Sequence, residues 1–169
     1  LNINSDDSVR VEMGEPKFTP EEIPFITNDI IALHYTIEGI QIGALSIGNP
    51  HAVISVYDLN LFDIESTALK LQNSNHFPEG VNVCFMQILN KNEIRLRVIE
   101  RGVGETLACG SGACAAVIHG VMLGLLDSKV DVHLNGGDAI VEYDGNNVYL
   151  SGPGEFVYEG SVNLRSGAS

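Results

Sequence analysis

Apolar and polar residues alternate in short runs along most of this chain, and longer helical spacing breaks in at two places. Ser8 to Met13 alternates and predicts a strand, which Gly14-Glu15-Pro16 ends. Thr19-Pro20-Glu21-Glu22 carries helix-start signals, but Pro24 stops it within about one turn. From Ile30 to Ser46 the pattern predicts short strands around a turn at Glu38-Gly39, with Ile37, Ile40 and Ile42 marking the alternation. A strand-like run from Ala44 to Val56 is interrupted at Gly48-Asn49-Pro50-His51. Proline cannot donate to a ladder, so the interruption predicts a bulge or a sheet edge, with Ala52 to Val56 as a further strand.

Ile64 to Asn73 has helical spacing, with Ile64, Ala68 and Leu71 on one face. Val81 to Leu89 and Glu93 to Arg101 read as a hairpin across Asn90-Lys91-Asn92. Gly112 to Leu126 is apolar almost all round, and a helix without a polar face must be enclosed by protein. Three more strands follow at Val130–Leu134, Ala139–Tyr143 and Asn147–Ser151, parted by turns at Gly136-Gly137 and Asp144-Gly145. The only material available to enclose the long helix is these strands. The pattern therefore predicts an α+β fold: a curled, barrel-like, mostly antiparallel sheet around one central buried helix.

At 169 residues the chain is long enough for one domain with a real core. A net charge of −13, spread along the chain, excludes a nucleic-acid footprint and argues against anionic membranes. Cys84, Cys109 and Cys114 are an odd number with no pairing pattern and no zinc-ligand spacing, so reduced thiols and no metal are expected, as in the cytoplasm. No signal peptide and no apolar run of transmembrane length is evident. The chain opens at Leu1 in mid-strand style, which predicts a piece of a longer protein, and the closing Arg165–Ser169 reads as a frayed tail.

The chemistry concentrates in Glu100 to Cys114, ERGVGETLACGSGAC. Cys109 stands at the mouth of the buried helix, followed by Gly110-Ser111-Gly112. The first amides of a helix have no internal partner and favour negative charge, so a thiol there is expected to have a lowered pKa, and the same amides can hold a carboxylate. Cys84 and Cys114 have apolar neighbours and read as core. In the preceding strand Ile94, Leu96, Val98 and Glu100 share one face, which makes Glu100 a carboxylate at the end of a buried row. Burying that charge calls for a cationic partner or a ligand. The Pro50 interruption either re-aims Asn49 and His51 at a site or is a plain structural kink, while Asn82 reads as turn chemistry. His34, His76, His119 and His133 lack carboxylate or cysteine company in sequence and read as structural.

Together these segments closely resemble the diaminopimelate epimerase family. The resemblance rests on Met13-Gly14-Glu15-Pro16, GNPH at 48–51, Val81-Asn82, ERG.GET.ACGSGACA at 100–115 and GP..VY.G at the end. Ala52 departs from the cysteine often found there. The resemblance implies two homologous domains with the active site between them, each giving one cysteine at a helix N-terminus. Only the C-terminal half is matched. Residues 14–153 would then be that domain, 1–13 a terminal segment of the missing N-terminal domain, and 154–169 a segment returning toward it. The implied reaction is cofactor-independent epimerisation of LL-2,6-diaminopimelate to the meso form, for lysine and peptidoglycan, by two cysteines that exchange acid and base roles. Cys109, Glu100 and His51 would be catalytic. Asn49, Asn82, Glu100, Arg101, Gly110 and Ser111 would bind substrate, and Tyr158 would serve a homodimer. With one cysteine of the pair, the chain alone is expected to be inactive. A proline racemase-like or phenazine-biosynthesis-like isomerase, and a non-catalytic binding domain, are the alternatives.

Overall fold

The computed structural model describes residues 1–3, 8–28 and 31–162. Ile30 and the Arg165–Ser169 tail, both given expectations above, lie outside the described residues. Among the described residues eleven strands form one sheet: β1 (Asn2–Ile3), β2 (Ser8–Gly14), β3 (Tyr35–Ile37), β4 (Ile40–Ser46), β5 (Pro50–Ser55), β6 (Asn82–Asn90), β7 (Glu93–Glu100), β8 (Gly104–Thr106), β9 (Lys129–Leu134), β10 (Gly137–Tyr143) and β11 (Val148–Pro153). Their spatial order is β1-β2-β11-β10-β9-β7-β6-β5-β4-β3, with β8 added beside β7. Among the described residues two helices accompany them, α1 (Ile64–Gln72) and α2 (Gly110–Met122), together with one 3-10 turn at Pro20–Glu22.

The curled sheet around a buried helix is borne out. Helix α2 contacts β4, β5, β6, β7, β10 and β11. Ala113, Cys114, Val117 and Ile118 pack there with Leu45, Met86, Leu96, Val130 and Val141. Each fully buried aliphatic side chain of this kind stabilises the fold by roughly 1.5–3 kcal/mol. The helix runs Gly110–Met122 rather than Gly112–Leu126, because the chain turns at Gly124 and brings Leu126 back against Gly120.

Three features differ from the sequence reading. The other face of β3–β6 carries a second core, where α1 and the 3-10 turn bury Leu71, Ile23, Phe25, Phe77 and Phe85. Strands β5 and β6 pair in parallel across α1, and β7 and β9 pair in parallel across β8 and α2, so the sheet is mixed though mostly antiparallel. Finally, Gly48-Asn49-Pro50-His51 is neither a bulge nor a mere edge: β4 reverses there into antiparallel β5, with Ser46 opposite Pro50. Ile47 stays buried through the reversal, and that continuous hydrophobicity hid the turn.

Candidate active site

The reversal before β5 and the parallel pairing of β5 with β6 bring GNPH and Val81-Asn82 side by side, His51 opposite Asn82 in register. Asn82 is buried and ties three motifs together. Its amide Nδ2 donates to the Pro50 carbonyl at 3.2 Å, and its Oδ1 accepts the backbone N–H of Arg101 at 3.0 Å. A buried side chain bonded at both ends is a cross-brace, so the reading of Asn82 as local turn chemistry is corrected: its partners lie 32 and 19 residues away.

Arg101 lies in the turn after β7, exposed, with its guanidinium Nη1 donating to the Glu79 carbonyl at 2.7 Å. Gly80 makes room for it: at φ +74° the chain takes a left-handed conformation, and a Cβ there would sit 2.9 Å from Arg101 Cδ. The fork is therefore parked on backbone rather than on a carboxylate.

Glu100 is half-buried at the end of its inward row, as the alternation predicts. Among the described residues no arginine pairs with its carboxylate. The Thr106 hydroxyl donates to its Oε1 at 2.6 Å, while Arg97 pairs with Glu105 instead at 2.6 Å. Of the two expectations, a cationic partner or a ligand, the described residues supply no cation; the hydroxyl satisfies one oxygen without neutralising the charge.

Cys109 is the N-cap of α2, in extended conformation, and Ala113 N–H makes the first helical bond back to its carbonyl at 2.9 Å. The amides of Gly110 and Ser111 precede that ladder. Cys109 is only 7% exposed. Burial pushes its pKa up, against the pull of the Gly112 amide and the Ser111 hydroxyl, which stands 3.7 Å away; the nearby Glu100 carboxylate adds to the rise. The expected lowering is corrected: in this state desolvation outweighs the helix end. Gly112 lets two sulfurs approach one helical turn, since a Cβ there would lie 3.2 Å from Cys109 Sγ and 3.3 Å from Cys84 Sγ.

His51 is wholly buried. Its Nε2 lies 3.0 Å from Asn49 Oδ1 and its Nδ1 lies 3.5 Å from the Cys84 sulfur. Burial, and secondarily the charge of Arg101, push its pKa down to about 4, so the ring is neutral near neutral pH. Cys84 is accordingly more than core filler, a contact the sequence reading missed because the two residues are 33 apart. Cys114 is core, its thiol pushed up to about 12 chiefly by burial. His133 is also corrected: its two nitrogens meet Asp138 at 2.8 Å and Glu93 at 2.9 Å, carboxylates supplied by neighbouring strands. Tyr158 stands 81% exposed after the end of β11, outside any helix or strand. Among the described residues no cluster suited to a metal ion occurs.

A sequence model of the diaminopimelate epimerase family matches residues 43–157, a span that holds every residue of this cluster and stops just before Tyr158. The chain is 53% identical over 165 residues to a diaminopimelate epimerase of Vesicomyosocius okutanii, covering 97% of the chain and 60% of that relative. It is 47% identical to one of Chromobacterium violaceum, covering 94% of the chain and 59% of the relative. The chain belongs to the diaminopimelate epimerase family. It spans about three-fifths of the length of these two family members. Among solved structures, a hydroxyproline epimerase from Agrobacterium vitis shares the fold at TM-score 0.63 and 16% identity, over 89% of this chain and 50% of that one. A probable proline racemase from Agrobacterium radiobacter does so at 0.58 and 16%, over 94% and 54%. Both likenesses establish architecture alone.

Proposed function

We propose that this chain forms one half of a cofactor-independent epimerase that interconverts LL- and meso-2,6-diaminopimelate, a cytoplasmic step toward lysine and peptidoglycan. The observation that carries the reading is Cys109 at the N-cap of a buried helix, its thiol near the Glu100 carboxylate. Inverting an α-carbon requires one group to remove its proton and another, on the opposite face, to return one. Cys109 fills one of these roles, and a second cysteine on the missing domain fills the other. The Gly110 and Ser111 amides hold the carboxylate at the reacting carbon and stabilise the charge that develops there.

The remaining residues suit the far end of a two-ended amino acid. Asn49 presents its amide at the site, Asn82 fixes the Arg101 backbone, and the Arg101 fork can leave the Glu79 carbonyl for a substrate carboxylate. His51 and Glu100 act as catalytic groups beside them. A raised thiol pKa agrees with a site completed only when substrate and the second domain arrive. On this reading the chain alone is inactive, residues 1–13 and 154–169 belong with the missing domain, and Tyr158 serves a homodimer.

The test is α-hydrogen exchange in deuterated water by the longer protein that contains this chain. Deuterium incorporation into diaminopimelate, reduced by about 10²–10⁴-fold in Cys109→Ala, is the expected result. Exchange into proline but not diaminopimelate would move the protein to the proline racemase-like class, and substantial epimerisation by the present chain alone would overturn the two-domain account.

A further inference from the structure

Cys84 has no role in the chemistry above, yet its buried sulfur touches the ring of His51. We propose that Cys84 is a positioning residue whose S–H holds His51 as the Nε2–H tautomer, so that the ring presents a hydrogen-bond donor on its Asn49 side. Its consequence for catalysis rests on the function proposed above.

Cys84 lies in β6 two residues beyond Asn82, the register partner of His51, so its side chain falls on the same face of the sheet and diagonal to the imidazole. It is completely buried, and its sulfur is 3.5 Å from His51 Nδ1. On the other side of the ring, Nε2 is 3.0 Å from Asn49 Oδ1. A neutral imidazole carries one proton, and the two neighbours compete to decide where it sits.

Three considerations settle the competition. Burial holds the ring neutral, with its pKa near 4, and raises the Cys84 thiol well above its ordinary value, so sulfur keeps its hydrogen. Sulfur is a weak acceptor while a pyridine-type nitrogen is a strong one, so S–H to Nδ1 is the better direction for that contact. Asn49 then offers a carbonyl oxygen to Nε2, an arrangement that requires Nε2–H. The opposite tautomer would set an oxygen lone pair against a nitrogen lone pair unless the amide turned over. Because Cys84 Sγ also stands within 3.3 Å of where a Gly112 Cβ would be, the thiol is wedged between the imidazole and the first turn of α2 and has little room to turn away.

The test is the ring-nitrogen spectrum of His51 in the histidine-15N-labelled chain, with the signals assigned through a His51→Asn variant and folding checked by thermal melting. The expected result is protonated Nε2 and unprotonated Nδ1 in the native chain, a mixture of tautomers in Cys84→Ala, and recovery of Nε2–H in Cys84→Ser, whose hydroxyl donates in place of the thiol. A native Nδ1–H ring, or an unchanged tautomer in folded Cys84→Ala, would overturn the proposal. In the longer protein, Cys84→Ala should lower kcat for diaminopimelate exchange several-fold at little change in KM, with Cys84→Ser restoring it; a shifted tautomer with unchanged kcat would overturn the catalytic part. The spectrum needs no substrate, so absence of diaminopimelate exchange in the parent protein would count against the proposed function and leave the tautomer result standing.

Discussion

Both helices of this chain open with amides that lack helical partners, and they treat those amides differently. At α1 the Asp63 side chain accepts the Ser66 N–H at 3.2 Å, and Glu65 adds a carboxylate to the first turn, so the helix end is filled by its own sequence. At α2 the cap is Cys109 and the first turn is Gly110-Ser111-Gly112, with no acidic residue. One helix uses its N-terminus to stabilise itself. The other has no side-chain cap bond and no acidic residue in its first turn, so its own sequence does not supply that stabilisation.

The largest effect that would sharpen this contrast is on rate. Replacing Cys109 by Ala in the longer protein should reduce diaminopimelate exchange by about 10²–10⁴-fold, the usual worth of an acid–base group, while the melting temperature hardly moves. Asp63→Ala should do the reverse, leaving exchange per folded molecule unchanged.

Acid should weaken the fold next. His51 and His119 are both held near a pKa of about 4, chiefly by burial, with Arg101 adding to the first and His34 to the second. Between their ordinary values and about 4 the unfolded chain binds protons that the native chain refuses, so stability falls as pH drops through that window. Full loss amounts to on the order of 3 kcal/mol per histidine. His133 works oppositely, since its raised pKa, set first by Asp138 and then by Glu93, stabilises the native state at low pH and loses that effect as pH rises. Denaturant titrations at stepped pH, with His119→Gln as control, check the sign.

Asn82→Ala should cost about 1–3 kcal/mol, because it leaves the Pro50 carbonyl and the Arg101 amide without their buried partner. Asp63→Ala should cost about 1 kcal/mol, the typical value of a lost N-cap. Chemical denaturation measures both, and equal costs would erase the distinction between a cross-brace inside the site and an ordinary helix cap.

Much of this was legible in the sequence wherever local pattern decides structure. The apolar run at Val117 and Ile118 demanded enclosure, the Ile94-to-Glu100 alternation put the carboxylate at the end of an inward row, and Cys109 fell at the helix mouth. What pairing across the fold decides was not legible. The two parallel ladders, the second core beneath α1, and the Cys84–His51 contact depend on which strands become neighbours, and no local period encodes that. The direction of the Cys109 pKa was missed for a related reason: helix placement is local, but the burial that outweighs it comes from the surrounding sheet.

The claim that α2 keeps an open, chemically usable N-terminus is tested most directly by limiting alkylation of the folded chain, followed by peptide mapping, across a pH series. Cys109 is slightly exposed, whereas Cys84 and Cys114 are fully buried with more strongly raised thiols. Cys109 should therefore label well ahead of the other two, and because burial raises its own pKa its rate should still be climbing beyond the pH at which an ordinary cysteine levels off. Equal labelling of all three, or faster labelling of Cys114, would contradict the account.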